Sequence, residues 1–537
     1  MLETKSAESP APPKKRSASV LVAAGILLSR IAGLVRQRVF AHYFGNSAAA
    51  DAFNAAFRIP NLLQNLFGEG ALSASFIPVY ARLLAQNNEK EAGRVAGAIA
   101  SLIVLVVTLI VLAGVLLAPW LVQIIAPGFG EDRRDLTVAL VRILFPGAGL
   151  LVLSAWCLGI LNSHRKFFLS YTAPVLWNAV MITALVWLGG RSSQEELAVS
   201  LAWASVVGSG AQFLIQLPVV LRLAKRLSFF TKWRSRSVRT VLKNFLPAFF
   251  SRGVVQISAY VDSVLASLLG VGAVAGITYA QVLYTLPVSL FGMSVSAAEL
   301  PEMSSALGNQ EEIAARLRER LQSGMKKIAL MIVPSVAGFL TLGDVVSALV
   351  YQTGKFLPAD ARYVWLILAG SSVGMLASTL GRLYSSAWYA LGDTRKPFLF
   401  SCARIAVSTV LGIVGAIFVP HWFGIPAKWG VLGITLGAAV GAWVEFFLLR
   451  RALWKQIGNV SLSWSYYGKL WLAAAVAASD ACLLRLTPIA DWHPVVAGGL
   501  MLGLFGVVYF VIAALMGIAD AQQLIGKFTG QLKRLRK

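Results

Sequence analysis

Two arginines, Arg30 and Arg36, stand inside the first long apolar run of the chain, in the stretch SRIAGLVRQRVF. A charged side chain at membrane depth is costly unless it faces a water-filled cavity or a partner, so both are candidates for function. Guanidinium is suited to a diphosphate, because it stays charged and donates planar, bidentate hydrogen bonds to phosphate oxygens. Six residues apart on a helix, the two lie about 9 Å apart along the axis and about 120° apart around it. They would flank a broad vestibule rather than clamp one atom. The alternative is that one of them pairs with Asp51 or Glu69 to hold the structure together, while Arg38 and Arg58 reach for an interface. Asp262 is a further acid within an apolar run, where pairing with an arginine or exposure to a cavity would satisfy it.

Other chemistry is poorly represented. A membrane glycosyltransferase or lipid phosphatase needs clustered acids, a nucleophile with its base, or metal ligands. The 4 histidines, His42, His164, His421 and His493, fall in or near loops of different segments, and no HExxH, DxD or acid pair occurs. No enzyme is expected. Cys157, Cys402 and Cys482 all lie within apolar runs and read as packing residues. Glu299 and Glu302 beside Pro301 are expected in cytoplasmic salt bridges, and Glu445 in local pairing with Arg450 or Arg451.

The elements that must carry these residues are membrane helices. The chain has 537 residues, 57% hydrophobic and 13% charged, and a mean hydropathy of +0.71. So much apolar surface exceeds any soluble core, and open sheet edges are not tolerated in hydrocarbon. The apolar runs predict an all-α polytopic membrane protein of about fourteen spans, near 19–44, 50–84, 94–126, 134–161, 166–189, 195–224, 238–269, 273–305, 323–350, 361–391, 396–420, 428–452, 463–486 and 494–518. A net charge of +24 would suggest nucleic acid in a soluble protein. Here Lys and Arg fall in every second loop, including Arg165 with Lys166, Lys225 to Arg239, Arg316 to Lys327 and Arg395 with Lys396, which predicts cytoplasmic N and C termini and no nucleic-acid partner. Residues 1–18 read as a disordered cytoplasmic tail. The basic amphipathic stretch 520–537 reads as a topology anchor or a helix on the anionic leaflet.

An internal repeat organises the spans. IPNLLQNLFGEGALSASFIPVYAR around Pro60 is echoed by LPVSLFGMSVSAAELPEMSSALG around Pro287, and LNSHRKFFLSYTAP at Leu161 by LGDTRKPFLFSCAR at Leu391. Six spans per copy is an even number, so the copies enter the membrane in the same sense: two six-helix lobes related by an axis along the membrane normal. The predicted organisation is an N-lobe over 19–224, a basic linker over 225–237, a C-lobe over 238–457 and two C-terminal helices over 458–519. Pro60, Pro78, Pro287 and Pro301 mark bent helices at equivalent places, either hinges or packing kinks.

The stretch SRIAGLVRQRVFAHYFGNSAAADAFNAAFRIPNLLQNLFGEGALSASFIPVY, with APGF at Ala126, QISAYVDSVLASLLG, YAQVLYTLPVSLFG and YALGDTRKP, resembles the MurJ (MviN) family of lipid II flippases of the MOP exporter superfamily. The resemblance implies a cavity between lobes, lined by cations that hold undecaprenyl diphosphate-linked disaccharide peptide, in the bacterial inner membrane among membrane lipid and cell-wall synthesis proteins. It implies substrate-binding roles for Arg30, Arg36, Arg58, Asn61 and Glu69. Gln64 and Val282 stand where relatives often carry arginine, and Gln37 where an acid is common; Arg252 or Arg382 would compensate. Some relatives hold sodium near this span, so Na+ at Asp262 joins the alternatives there. No cofactor is implied beyond coupling to Na+ or the membrane potential. The competing readings are an exporter of another lipid-linked oligosaccharide and a transport-inactive scaffold.

Overall fold

A computed structural model describes residues 16–224, 227–228, 235–305 and 309–535. The expected tail before residue 16 and most of the 225–237 linker lie outside the described residues. The first half of the chain forms α1 (Arg16–Phe44), α2 (Ala48–Leu63), α3 (Ser73–Ala85), α4 (Glu89–Leu116), α5 (Ala118–Ile125), α6 (Glu131–Ser163), α7 (Phe167–Leu188) and α8 (Gln194–Leu223). The second forms α9 (Arg236–Ser267), α10 (Ala273–Pro287), α11 (Ser294–Ser304), α12 (Gln310–Tyr351), α13 (Pro358–Ser372), α14 (Met375–Ala390), α15 (Arg395–Ile413), α16 (Val419–Phe423) and α17 (Val431–Ile457). α18 (Trp464–Leu483), α19 (Pro494–Leu515) and α20 (Ala519–Leu535) complete it. The molecule is an all-α polytopic membrane protein.

Sequence-local signals set the helix starts. Ser193 and Glu196 reciprocally cap α8, and Asn309 with Glu312 does the same for α12, satisfying amides that have no partner in the first turn. The two proline–LFG segments take the same local form. The helix after Pro60 widens into a π-helical turn over Gln64–Leu72, and the one after Pro287 into another over Val288–Met293. Proline removes one ladder hydrogen bond and crowds the preceding turn, and a π-bulge relieves that crowding.

Among the described residues, nine helices or helix runs are long and apolar enough to cross a membrane, and ten if α13 and α14, bent by 42°, form one span. The other expected spans correspond to α1, α2 with α3, α9 and α18. They fall below that mark because they are broken or carry charge: Arg30, Arg36 and Arg38 in α1, Arg239, Lys243 and Asp262 in α9, Lys469 and Asp480 in α18. Apolarity alone therefore does not give fourteen crossings.

In the first half, α6 is packed by α2, α4 and α8, and α7 lies between α1 and α8. In the second, α12, α13 and α14 pack together and α17 lies against α13, α14 and α15. α18 and α19 pack on each other and on α12. The halves meet where α2 touches α10, α1 touches α12, and α3 and the first π-turn touch α9. Large apolar side chains such as Trp120, Trp187, Leu109 and Val207 remain on the outside, the surface that lipid solvates.

Candidate functional site

A cavity of about 1060 Å³ opens between the halves, walled by α1, α2, the first π-turn, α3, α6, α7, α8 and α10. Arg30, Arg36, Arg58, Asn61 and Gln64 all line it, and so does Val282. Among the described residues no carboxylate lines it, so the wall is cationic and amide-rich.

Arg36 is held without an acid. Its guanidinium carbon lies 4.7 Å from the centroid of the Trp177 ring, and Nη1 is 3.6 Å from the Met181 sulfur. Nε is buried with no hydrogen-bond partner. Trp177 is itself fixed, because its Nε1 donates to the Ser205 carbonyl at 3.2 Å and its ring stacks on Phe57 at 5.9 Å. The result is a cation on an aromatic platform with donor capacity left over.

Asp51, the alternative partner for one of the arginines, is committed elsewhere. Asp51 accepts from the Gly272 amide at 2.6 Å and the Ala275 amide at 2.8 Å, and Arg133 approaches it at 3.5 Å. It therefore caps the N-terminus of α10 from the opposite half of the chain, where a negative charge meets the positive end of the helix dipole. Gly272 reaches this position with φ +88°, a left-handed conformation that favours glycine. Arg38 turns out of the cavity to donate to the carbonyls of Leu349 at 2.7 Å and Val350 at 2.8 Å, the last turn of α12. With the Tyr279 hydroxyl donating to Gly45 O at 2.7 Å and His42 Nδ1 2.8 Å from Thr353 Oγ1, these contacts close one end of the cavity. Towards the other end, Phe67 packs on Phe245 and Phe249, and the Tyr260 hydroxyl donates to the Arg58 carbonyl at 2.7 Å.

Several expected residues lie apart. Arg382 does not line the cavity; its charged and phenolic neighbours are Arg404, Tyr284 and Glu445. The side chains of Glu69 and Arg252 lie outside the described residues. Asp262 has Arg58 and Arg404 as its charged neighbours, and among the described residues no three His, Cys, Asp or Glu side chains come together as a metal group. Glu445 corrects the expectation of pairing with Arg450 or Arg451: it accepts from Arg404 at 3.1 Å and from Ser401 at 2.6 Å. Residues five or six apart on a helix do not share a face, whereas α15 lies directly alongside. Glu299 and Glu302 pair with Lys327 at 2.9 Å and Arg320 at 2.7 Å.

The family model described as lipid II flippase MurJ matches residues 40–497. The chain belongs to the MurJ lipid II flippase family. It is 31% identical to the lipid II flippase MurJ of Burkholderia cenocepacia over 512 residues, covering 92% of this chain and 96% of that one. It is 30% identical to the probable lipid II flippase MurJ of Rhizobium tropici, covering 96% of each. Its fold matches the solved structure of lipid II flippase MurJ in an inward closed conformation with a TM-score of 0.77 at 21% identity, over 94% of this chain and all of that one. An inward-facing MATE transporter of the MOP superfamily matches at 0.64 and 16% identity, over 83% of this chain.

Membership in the MurJ family leaves unexplained a set of further amides, of which the sequence had singled out only Gln37. Gln37, Asn54, Asn162, Asn178 and Gln212 line the cavity beside the arginines. Gln37 Nε2, Asn162 Oδ1 and Asn178 Oδ1 are buried without a partner. A signal existed: Ser170, Tyr171, Pro174, Trp177, Asn178 and Met181 recur at three- and four-residue steps on one face of α7.

Proposed function

We propose that this chain carries lipid II, a disaccharide peptide on undecaprenyl diphosphate, from the cytoplasmic to the outer leaflet of a bacterial inner membrane. The observation that carries the reading is the cavity between the halves, where Arg30 and Arg36 stand without a lining carboxylate among the described residues, in a chain of the MurJ family. An anionic headgroup is attracted there and a cation is not. The diphosphate lies against the arginines, with Asn61 and Gln64 donating from α2 and the π-turn. The amide wall offers donors and acceptors to sugar hydroxyls and peptide groups. No covalent step is needed, so the protein acts as a transporter and not as an enzyme.

Movement follows from the contacts at the closed end. Breaking the Asp51, Arg38 and Tyr279 interactions releases α2 and α1 from α10 and α12, and remaking them resets the cavity. The loop charges support an orientation with both termini in the cytoplasm and the closed end outside. An inside-negative potential then favours outward movement of the diphosphate by about 2.3 kcal/mol per charge per 100 mV. Coupling to Na+ is part of the same proposal, with no residue assigned to it. Cell-wall synthesis proteins are the proposed protein partners.

The test is transport in proteoliposomes holding fluorescent lipid II, together with rescue of a bacterium depleted of its own flippase. Transport and rescue are expected. A folded protein that does neither returns the scaffold reading. A second reading, a less anionic lipid-linked oligosaccharide, is favoured by Gln64 and Val282 in the cavity wall, and transport of that lipid in preference to lipid II would establish it.

A further inference from the structure

Away from the central cavity, the first turn of α15 lies against the last two turns of α17, and a crevice of about 500 Å³ opens between them. Lys396 and Phe400 line it from α15, and Leu448, Arg451 and Lys455 from α17. Of the three cations, Lys396 alone has partners among the described residues of the protein. Lys396 lies 3.4 Å from Asp393 and 4.0 Å from the centroid of the Trp388 ring. Arg451 and Lys455 have no ion pair among the described residues. Cations near a helix C-terminus suit its dipole. That accounts for charge on α17, but not for a third cation from another helix or for an apolar floor beneath all three.

The surroundings name the occupant. Among the described residues, the run Arg395–Phe423 is the least buried of the nine apolar runs, so its outer side belongs to lipid. Beside the crevice Leu399, Phe447 and Trp454 are exposed. Tryptophan at the border of an apolar belt and a basic patch marks the headgroup level of a bilayer. A free phosphate would gain nothing from Phe400 and Leu448. A phospholipid would use both parts of the site.

We propose that the crevice between α15 and α17 binds an anionic phospholipid, with Arg451 and Lys455 holding its phosphate and Phe400 and Leu448 receiving the glycerol and first acyl carbons. The site is separate from the transport cavity and does not depend on the flippase reading. Basic clusters at the end of a membrane helix attract anionic headgroups with roughly a several-fold gain per cation.

The full-length protein in mild detergent is cross-linked with a photoreactive phosphatidylglycerol and the labelled peptides are mapped. Labelling within 395–400 and 447–456 is expected. Unlabelled phosphatidylglycerol should compete, while phosphatidylethanolamine and inorganic phosphate should not. The Arg451→Gln, Lys455→Gln double variant should lose labelling there by on the order of tenfold, and Arg451→Lys should keep it. Should the double variant be unstable, the single exposed change Lys455→Gln gives the same readout at about threefold. Equal labelling of wild type and variant, labels only elsewhere, or displacement by inorganic phosphate or phosphatidylethanolamine would each overturn the proposal.

Discussion

At the scale of single residues, the decisive contrast is between Arg36 and Asp51. One is a charge kept without a counter-charge, over Trp177; the other is fully occupied by Gly272, Ala275 and Arg133. Arg36→Ala should therefore abolish lipid II transport while leaving folded protein in the membrane, and Arg30→Ala should do the same. Arg36→Lys should retain part of the activity, because ammonium keeps the charge but loses the planar fork and the ring stacking. Normal rescue of a depleted strain by both alanine variants at ordinary expression would remove them from the site. Gln64 lines the same cavity, so Gln64→Arg should add a charge-assisted contact and tighten diphosphate binding by about tenfold. A titration with lipid-linked diphosphate checks this; unchanged binding would place Gln64 outside the headgroup's reach.

At the scale of elements, the Asp51 contact joins α2 to the start of α10, and its loss should free the closed end. Asp51→Ala leaves two buried amides and Arg133 unsatisfied, at a cost of about 2–4 kcal/mol in the closed form. A cysteine placed at Gln281 in the cavity wall should then react faster with a membrane-impermeant thiol reagent added from outside, and an unchanged rate would mean that other contacts hold the gate. The elements themselves were largely legible. Long apolar runs announced the helices, and the echo of Pro60 in Pro287 announced bends at equivalent places, which the structure shows as two matching π-turns. Arg30 and Arg36 were legible because charge inside an apolar run is conspicuous. The amides Asn162 and Asn178 were not, since a lone amide in a span more often packs than binds. Tertiary geometry also decided against Arg382, which α14 carries towards Arg404 rather than the cavity, and against Arg450 as the partner of Glu445. One-dimensional proximity cannot rank partners that come from another helix.

At the scale of the whole molecule, orientation and energy source become measurable. With both termini inside, a cysteine at Ser192 should react with an external reagent and one at Ser235 should not; the reverse pattern would invert the topology. Dissipating an inside-negative potential across proteoliposomes should slow outward transport of lipid II but not inward movement, because the diphosphate carries its charge with it. Equal rates with and without potential would mean that the headgroup's charge is compensated during the crossing.

The closed end also has a hereditary consequence. Asp51 is held in part by the amides of Gly272 and Ala275, groups that the genetic code supplies at every position except proline. No codon change at residue 275 other than one to proline can delete its amide. Suppressors of Asp51→Ala should therefore map to other contacts between the halves, such as the neighbourhood of Arg38, Leu349 and Tyr279, and Ala275→Pro should behave as a partial copy of the Asp51 lesion while Ala275→Ser does not.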